Sequence, residues 1–404
     1  MKEAYIKRDT YINRIRPHLG KPIIKVLTGQ RRVGKSFILL QLIDEIKLTY
    51  PEANIIYINV EMLEFDFIRT HDSLCQFVES KLIDGKQNFL LVDEIQEISS
   101  FELCLRSLLA GSKCDIICTG SNAQMLSGEL ATRLSGRYIQ FPIYSLSYVE
   151  FLEFHQIDNT NESLNAYLKF GGMPYLLHTG LVQDVAFEYL KNVNSTILLK
   201  DVVARENIRN IDFLENLVAF LADNTGSLLS ALNISKYLKS QQQNIPPQTV
   251  LNYLRALANS FYVYKVQRAN VGGLKIFEVG EKYYFEDLGL RNTIRKFDFR
   301  RDVNKLMENV VYMHLLRLGF QVFIGKVGEL EIDFMAEKDG ERVYFQVSYL
   351  LFDEKTIERE FGNLMVINDN YPKYVISMDE TTVGTSYKGI RQIHLRDFLS
   401  MVSF

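Results

Sequence analysis

Gly29-Gln30-Arg31-Arg32-Val33-Gly34-Lys35-Ser36 is the stretch that decides the fold of the first third of the chain. Its spacing is G-x-x-x-x-G-K-S. It follows the apolar run Ile23 to Leu27 and opens a helical pattern from Phe37 to Tyr50. Glycines at the fixed positions let the backbone curl so that successive N–H groups point inward at anionic oxygens, and the helix start adds its positive dipole end. In that geometry Lys35 reaches the β- and γ-phosphates of a nucleotide, while the Ser36 hydroxyl completes a magnesium shell. Gly29, Gln30, Arg31, Arg32, Val33, Gly34, Lys35, Ser36 and Phe37 are therefore the candidate ATP-binding residues.

A second apolar run, Phe89-Leu90-Leu91-Val92, ends in two acids, Asp93 and Glu94. With Ser36, Asp93 is the expected Mg2+ ligand, acting through water. Glu94 is the expected catalytic base that orients and polarises the attacking water. Thr119-Gly120-Ser121-Asn122 closes the next run. Ligands of a parallel sheet lie beyond the carboxyl ends of its strands, so Asn122 or Ser121 is expected at the γ-phosphate or its water. Arg133 and Arg137 are candidates for an arginine finger, in cis or supplied to a neighbouring subunit. Runs at Ile23 to Leu27, Asn54 to Val60, Phe89 to Val92 and Asp115 to Thr119 alternate with helical patterns. That alternation predicts an α/β fold, a parallel sheet with helices on both faces.

The 404 residues exceed what one core organises, so several domains are expected. A formal net charge of -3 argues against a protein that coats nucleic acid non-specifically and leaves only a local patch for such contact. Of the cysteines Cys75, Cys104, Cys114 and Cys118, the last two are close together without a His partner. They read as buried thiols of a reduced compartment rather than as a zinc site. Neither a signal peptide nor a bilayer-length apolar run is visible, so a cytoplasmic chain with no membrane partner is expected.

Beyond Pro142 the pattern turns mainly helical. The domain expectation is a nucleotide-binding domain over 1–145, a helical lid or linker over 146–210, a winged-helix-like domain over 211–298 and a last α/β domain over 299–404. The winged-helix expectation rests on helices at Asn233 to Leu238 and Pro247 to Ser260, then strands at Tyr262 to Gln267 and Lys275 to Phe285. Gln248, Asn252 and Arg255 are candidates for a DNA groove, with Lys236, Lys239 and Arg268 for phosphates. Leu251, Leu254 and Leu257 at helical spacing read as core instead, and such modules also dock proteins. The last domain reads helix, three strands, helix, strand.

GQRRVGKS, LLVDEIQ, CTGSNA, LSGRY and FPIYSLSYVEFL, in that order, resemble a family of archaeal and bacterial AAA-type ATPases. KFGGMPYLL, KDVVARENI, KYYFEDLGLRN, MENVVYMHLLRLGF and EIDFMAEKDGERVYFQVSY resemble the C-terminal domain of unknown function that accompanies that ATPase. The resemblance covers nearly the whole chain. It implies an ATPase core, a winged-helix region and a terminal domain similar to restriction-endonuclease folds, and it implies no particular substrate.

A nuclease of the PD-(D/E)xK kind needs an acidic pair for magnesium and a lysine that activates water. Asp333 takes the first acid position and Glu308 an accessory one, but the strand that should carry the second acid and the lysine reads Gln346-Val347-Ser348. Lys355 stands close enough in sequence to take over that lysine's role. These departures argue for a degenerate nuclease fold. The expected activity is ATP hydrolysis with Mg2+, coupled to the C-terminal domains and acting on nucleic acid. The alternative is a slow nucleotide-gated switch for protein partners, with homo-oligomerisation open in either case.

Overall fold

Short β-branched runs that end at glycines or acids, separated by amphipathic stretches, leave the first part of the chain to build a wound parallel sheet. The structure is a computed structural model, describing residues 5–123, 134, 136–272, 280–295, 297–351, 354–380 and 386–404. The chain divides into two units, Met1–Tyr144 with Asn259–Phe261, and Ser145–Ala258 with Tyr262–Phe404.

In the first unit, α1 (Asp9–Ile15) precedes β1 (Ile24–Thr28), and α2 (Lys35–Thr49) follows it. Then come β2 (Asn54–Asn59), α3 (His71–Lys81), β3 (Asn88–Asp93), α4 (Phe101–Ala110), β4 (Asp115–Gly120) and β5 (Tyr138–Pro142). The sheet order is β2-β3-β4-β1-β5, every pair parallel. β4 therefore lies between β1 and β3, with Leu27 opposite Thr119 and Val92 opposite Cys118. Leu90, Val92, Ile116, Cys118 and Val26 are buried against Leu74, Val78, Leu105 and Leu108 of α3 and α4. Each such side chain contributes about 1.5–3 kcal/mol on leaving water.

Cys114 and Cys118 are free, buried thiols, each pushed up to about 12 by burial. Cys75 and Cys104 are joined in a disulfide between α3 and α4, with Cα atoms 5.4 Å apart. The sequence reading did not pair them. Among the described residues no helix is long and apolar enough to cross a membrane.

The second unit begins with α5 (Tyr148–His155), α6 (Asn161–Phe170) and α7 (Gln183–Thr196). After Thr196 the helix changes register and continues as a π-helix over Ile197–Ala204. Next are α8 (Ile211–Asp223), α9 (Ala231–Ser240), α10 (Pro247–Asn259), β6 (Val263–Asn270), β7 (Glu281–Phe285), α11 (Leu288–Ile294) and α12 (Phe299–Arg317). They are followed by β8 (Gln321–Val327), β9 (Leu330–Lys338), β10 (Glu341–Val347), α13 (Glu354–Met365), β11 (Lys373–Ser377), β12 (Ser386–Tyr387) and β13 (Ile390–His394). The sheet runs β12-β13-β11-β10-β9-β8-β6-β7. β6 pairs antiparallel with β7 through Val263 to Gln267 and parallel with β8 through Arg268 to Asn270. That shared strand joins the segments expected as 211–298 and 299–404 into one sheet. Part of the strand expected from Lys275 lies outside the described residues.

Two sequence signatures lock together here. Asp287 Oδ2 accepts the Gly172 N–H at 2.6 Å, and its other oxygen caps α11 at Leu290 N, 3.1 Å away. Gly289 lies so close to α6 that a Cβ would come within 1.9 Å of the Phe170 carbonyl oxygen. GGMP and EDLGL are thus two halves of one backbone crossing.

Candidate functional site

The glycine-rich loop leaves β1 and ends at Gly34, which caps α2 in left-handed backbone at φ 98°. Arg32 is also left-handed, at φ 72°. Gly29 passes so near the following chain that a Cβ would meet the Ile143 carbonyl oxygen at 2.0 Å. Only glycine fits there. Lys35 Nζ donates to the carbonyl oxygens of Gly29 and Gln30, 3.0 Å each, and lies 3.7 Å from Glu94 Oε1. The ammonium is thereby held at the mouth of the loop.

Because β4 lies between β1 and β3, Thr119 bridges the two acids. Its hydroxyl donates to Asp93 Oδ1 at 2.6 Å and accepts the Glu94 N–H at 2.8 Å. The Ser36 hydroxyl also bonds Asp93. Burial raises the Asp93 pKa, bonds from Ser36 and Thr119 oppose that, and the Glu94 charge adds to it. A buried carboxylate beside hydroxyl oxygens, penalised while ionised, matches what a hard divalent cation such as Mg2+ takes up.

Glu94 adopts left-handed backbone at φ 55°, which costs a non-glycine residue about 1–3 kcal/mol and recurs at functional sites. Its Oε2 accepts the Ser121 hydroxyl at 3.2 Å and the Gln96 side-chain amide.

Among the described residues, those expected from sequence come together except for Arg137. Gly29 to Ser36, Asp93 and Glu94 converge at the carboxyl ends of β1 and β3, and Ser121 and half-buried Asn122 follow β4 at the same sheet edge. Phe37, in the first turn of α2, is 47% exposed, whereas Arg31 in the loop is buried and pairs with Glu61 at 3.3 Å. Gln30 is fully buried, and neither atom of its side-chain amide has a hydrogen-bond partner among the described residues. Arg137 does not reach the site within its own chain. Its carbonyl accepts the Ile24 N–H at 3.0 Å, so its backbone sits at the opposite end of β1 from the loop. Four strand steps of roughly 3.3 Å separate Ile24 from Thr28, beyond one side chain's reach. A cis finger from Arg137 is thereby corrected. Arg133 lies outside the described residues.

Sequence reasoning missed Thr119 and Gln96 as partners of the acids, and Arg8. The buried Arg8 donates from Nη1 to the Val33 carbonyl at 2.9 Å, bracing the loop from behind. Thr119 stood inside a quoted motif, but its role depends on strand order.

The second unit brings Glu308, Asp333 and Gln346 together. Asp333 Oδ2 accepts the Val347 N–H at 2.8 Å, and Gln346 Oε1 accepts the Asp333 N–H at 3.4 Å. Ser348 donates instead to the Leu350 carbonyl at 3.4 Å, and nothing is described of the Lys355 side chain. Lys282, Tyr284 and Glu331 complete this cluster, and none was expected. On α10, Gln248, Asn252 and Arg255 are exposed, as are Lys236 and Lys239 of α9, while Arg268 is half-buried. Leu254 and Leu257 are core, but Leu251 is 42% exposed on the outer face, against expectation.

A profile for an AAA domain matches residues 21–152, and one for a domain of unknown function (DUF8612) matches residues 161–301. An uncharacterized protein of Haemophilus influenzae is 33% identical, over 99% of this chain and 100% of its own length. An uncharacterized protein of Methanocaldococcus jannaschii is 29% identical, over 83% of this chain and 77% of its own. Among solved structures, a Walker-type ATPase of Pyrococcus abyssi superposes with a TM-score of 0.50 at 17% identity, across 72% of this chain and 96% of that one. That likeness is one of fold.

Proposed function

The chain belongs to the AAA-type P-loop ATPase family, and from that premise we propose that it binds ATP with Mg2+ at Gly29–Phe37 and hydrolyses it. The observation that carries the reading is the joined set of Lys35, Ser36, Asp93, Glu94 and Thr119 at one sheet edge. Backbone N–H groups of the loop and Lys35 hold the β- and γ-phosphates. Ser36 and Asp93 would hold Mg2+, which would supply positive charge toward the transferred group. Glu94 takes the proton of the attacking water and Ser121 keeps its carboxylate aimed, with Asn122 close by at the γ-phosphate. Turnover drives rearrangement of the second unit on nucleic acid, with the exposed face of α10 as the contact. An arginine finger, if Arg137 provides one, acts in trans within an assembly of this chain.

One observation favours a second reading. Glu94 is held by Ser121 and Gln96 and lies beside Lys35, an arrangement suited to slow basal turnover and a nucleotide-gated switch for a protein partner.

Phosphate release from MgATP by the wild type, Lys35→Ala and Glu94→Gln, each with and without DNA, tests both. Turnover that needs both residues and rises with DNA supports the first reading. Turnover that ignores DNA supports the second, and no turnover or binding removes both.

A further inference from the structure

We propose that the acidic cluster of the second unit is a cation site filled by the chain's own Lys282 ammonium, so that it takes up no divalent metal while that lysine is present. The inference is independent of the nucleotide reading. Glu308 comes from α12, and Glu331 and Asp333 from β9. Gathering three carboxylates this closely, with Asp333 buried and Glu308 and Glu331 partly so, requires positive charge among them.

Lys282 supplies it from β7. Its side chain is 3% exposed, and Nζ lies 2.9 Å from Glu331 Oε1, 3.3 Å from Glu308 Oε2 and 4.0 Å from Asp333 Oδ1. One ammonium is thus shared by three acids. A Mg2+ ion would need those oxygens drawn in to about 2.0–2.1 Å around a common centre. Among the described residues no three His, Cys, Asp or Glu side chains converge in that way.

Two of the carboxylate oxygens are also engaged from within the protein. Tyr284 donates its hydroxyl to Glu308 Oε2 at 3.0 Å, and Asp333 Oδ2 is taken by the Val347 N–H. Gln346 spends its oxygen on the Asp333 backbone rather than on the centre of the cluster. Gly226 closes one side, since a Cβ there would come within 2.7 Å of Glu308 Oε2. Burial pulls the Lys282 pKa down, but the three carboxylates outweigh it and the group stays charged. Burial also raises the Glu308 and Asp333 pKa values, and the Lys282 charge opposes that rise at both. The ammonium therefore ties β7 to α12 and β9 where a metal nuclease would hold its ion.

The test uses the full chain carrying Asp93→Asn, which silences the metal acid of the nucleotide loop. The readout is terbium(III) luminescence excited through tyrosine, because the chain has no tryptophan and Tyr284 touches Glu308. With Lys282 present, no saturable emission is expected. Lys282→Ala, or Lys282→Met to keep the apolar stem, should gain one saturable site with at least tenfold brighter emission. That site should be competed by Mg2+ and lost when Asp333→Asn is added. If Lys282→Ala unfolds alone, refolding on metal addition supports the proposal. Three results overturn it: stoichiometric metal uptake at Asp333 with Lys282 in place, Mg2+-dependent nicking of DNA by the unchanged chain, or variants that bind no metal or stay unfolded with it.

Discussion

Replacing Glu94 by glutamine should slow hydrolysis and tighten ATP binding at the same time. The substitution keeps the shape, and its oxygen can still accept from Ser121 and Gln96. It removes a charge 3.7 Å from the Lys35 ammonium, with both side chains at least nine-tenths buried. At an effective dielectric of about 20, two charges at this separation attract by roughly 4 kcal/mol. Desolvation of the pair cancels most of that. If about a third survives, Lys35 is released toward the phosphates with a gain near 1.4 kcal/mol, or about tenfold in affinity. The lost carboxylate also stops repelling the γ-phosphate. Loss of a positioned general base costs about 10²–10⁴-fold in rate. Calorimetric titration with MgATP and single-turnover phosphate release measure the two effects separately. A variant that binds ATP more weakly than wild type, or keeps more than about a tenth of its turnover, would refute the reasoning.

Asp93→Asn should raise the melting temperature of the nucleotide-free protein by about 2–4 °C while abolishing the dependence of ATP affinity on Mg2+. The sign follows from the raised Asp93 pKa, since stability present at low pH is lost as the group ionises and asparagine removes that loss. Differential scanning fluorimetry with and without MgATP checks it, an unchanged or lower melting point counting against. Burial pushes the Glu286 carboxyl up to about 8, so its contribution is complete below its unfolded pKa and lost as pH rises through 8. Urea melts of the second unit should weaken from pH 5 to 9 by up to on the order of 4 kcal/mol, and Glu286→Gln should flatten that slope. Gly289→Ala forces a Cβ against the Phe170 carbonyl and should cost about 3 kcal/mol or more, visible as proteolytic sensitivity of that unit.

The parts legible in advance are those whose cause is local. The phosphate loop needs eight contiguous residues and a strand before them. The strands at Asn88–Asp93 and Asp115–Gly120 are buried on both faces and read as continuous apolar runs. β5 escaped notice because Tyr-Ile-Gln-Phe-Pro is an edge strand, half exposed and ending in proline, so it carries neither an apolar run nor clean alternation. The π-helix at Ile197–Ala204 was unreadable for another reason. Its sequence propagates an ordinary helical pattern, and no single residue announces the change of register. The Cys75–Cys104 bond joins positions 29 apart on facing helices, a distance set by α3 and α4 packing.

The same distinction separates the two buried acid sites. Asp93 and Glu94 could be singled out because they end an apolar run that follows the glycine-rich loop in the sequence. Their bridging hydroxyl could not, because Thr119 becomes a neighbour only when β4 inserts between β1 and β3. In the second unit Glu308 and Asp333 could be matched to a motif, and the missing lysine at Ser348 left that motif without its positive charge. The charge is present, but it arrives from β7, 26 positions before Glu308, on a strand that enters the sheet through its shared partner β6. A motif read along the chain records which residues stand on one strand. What neutralises buried acids is decided by which strands the sheet brings round to them, so a gap in a motif does not establish a gap in the site.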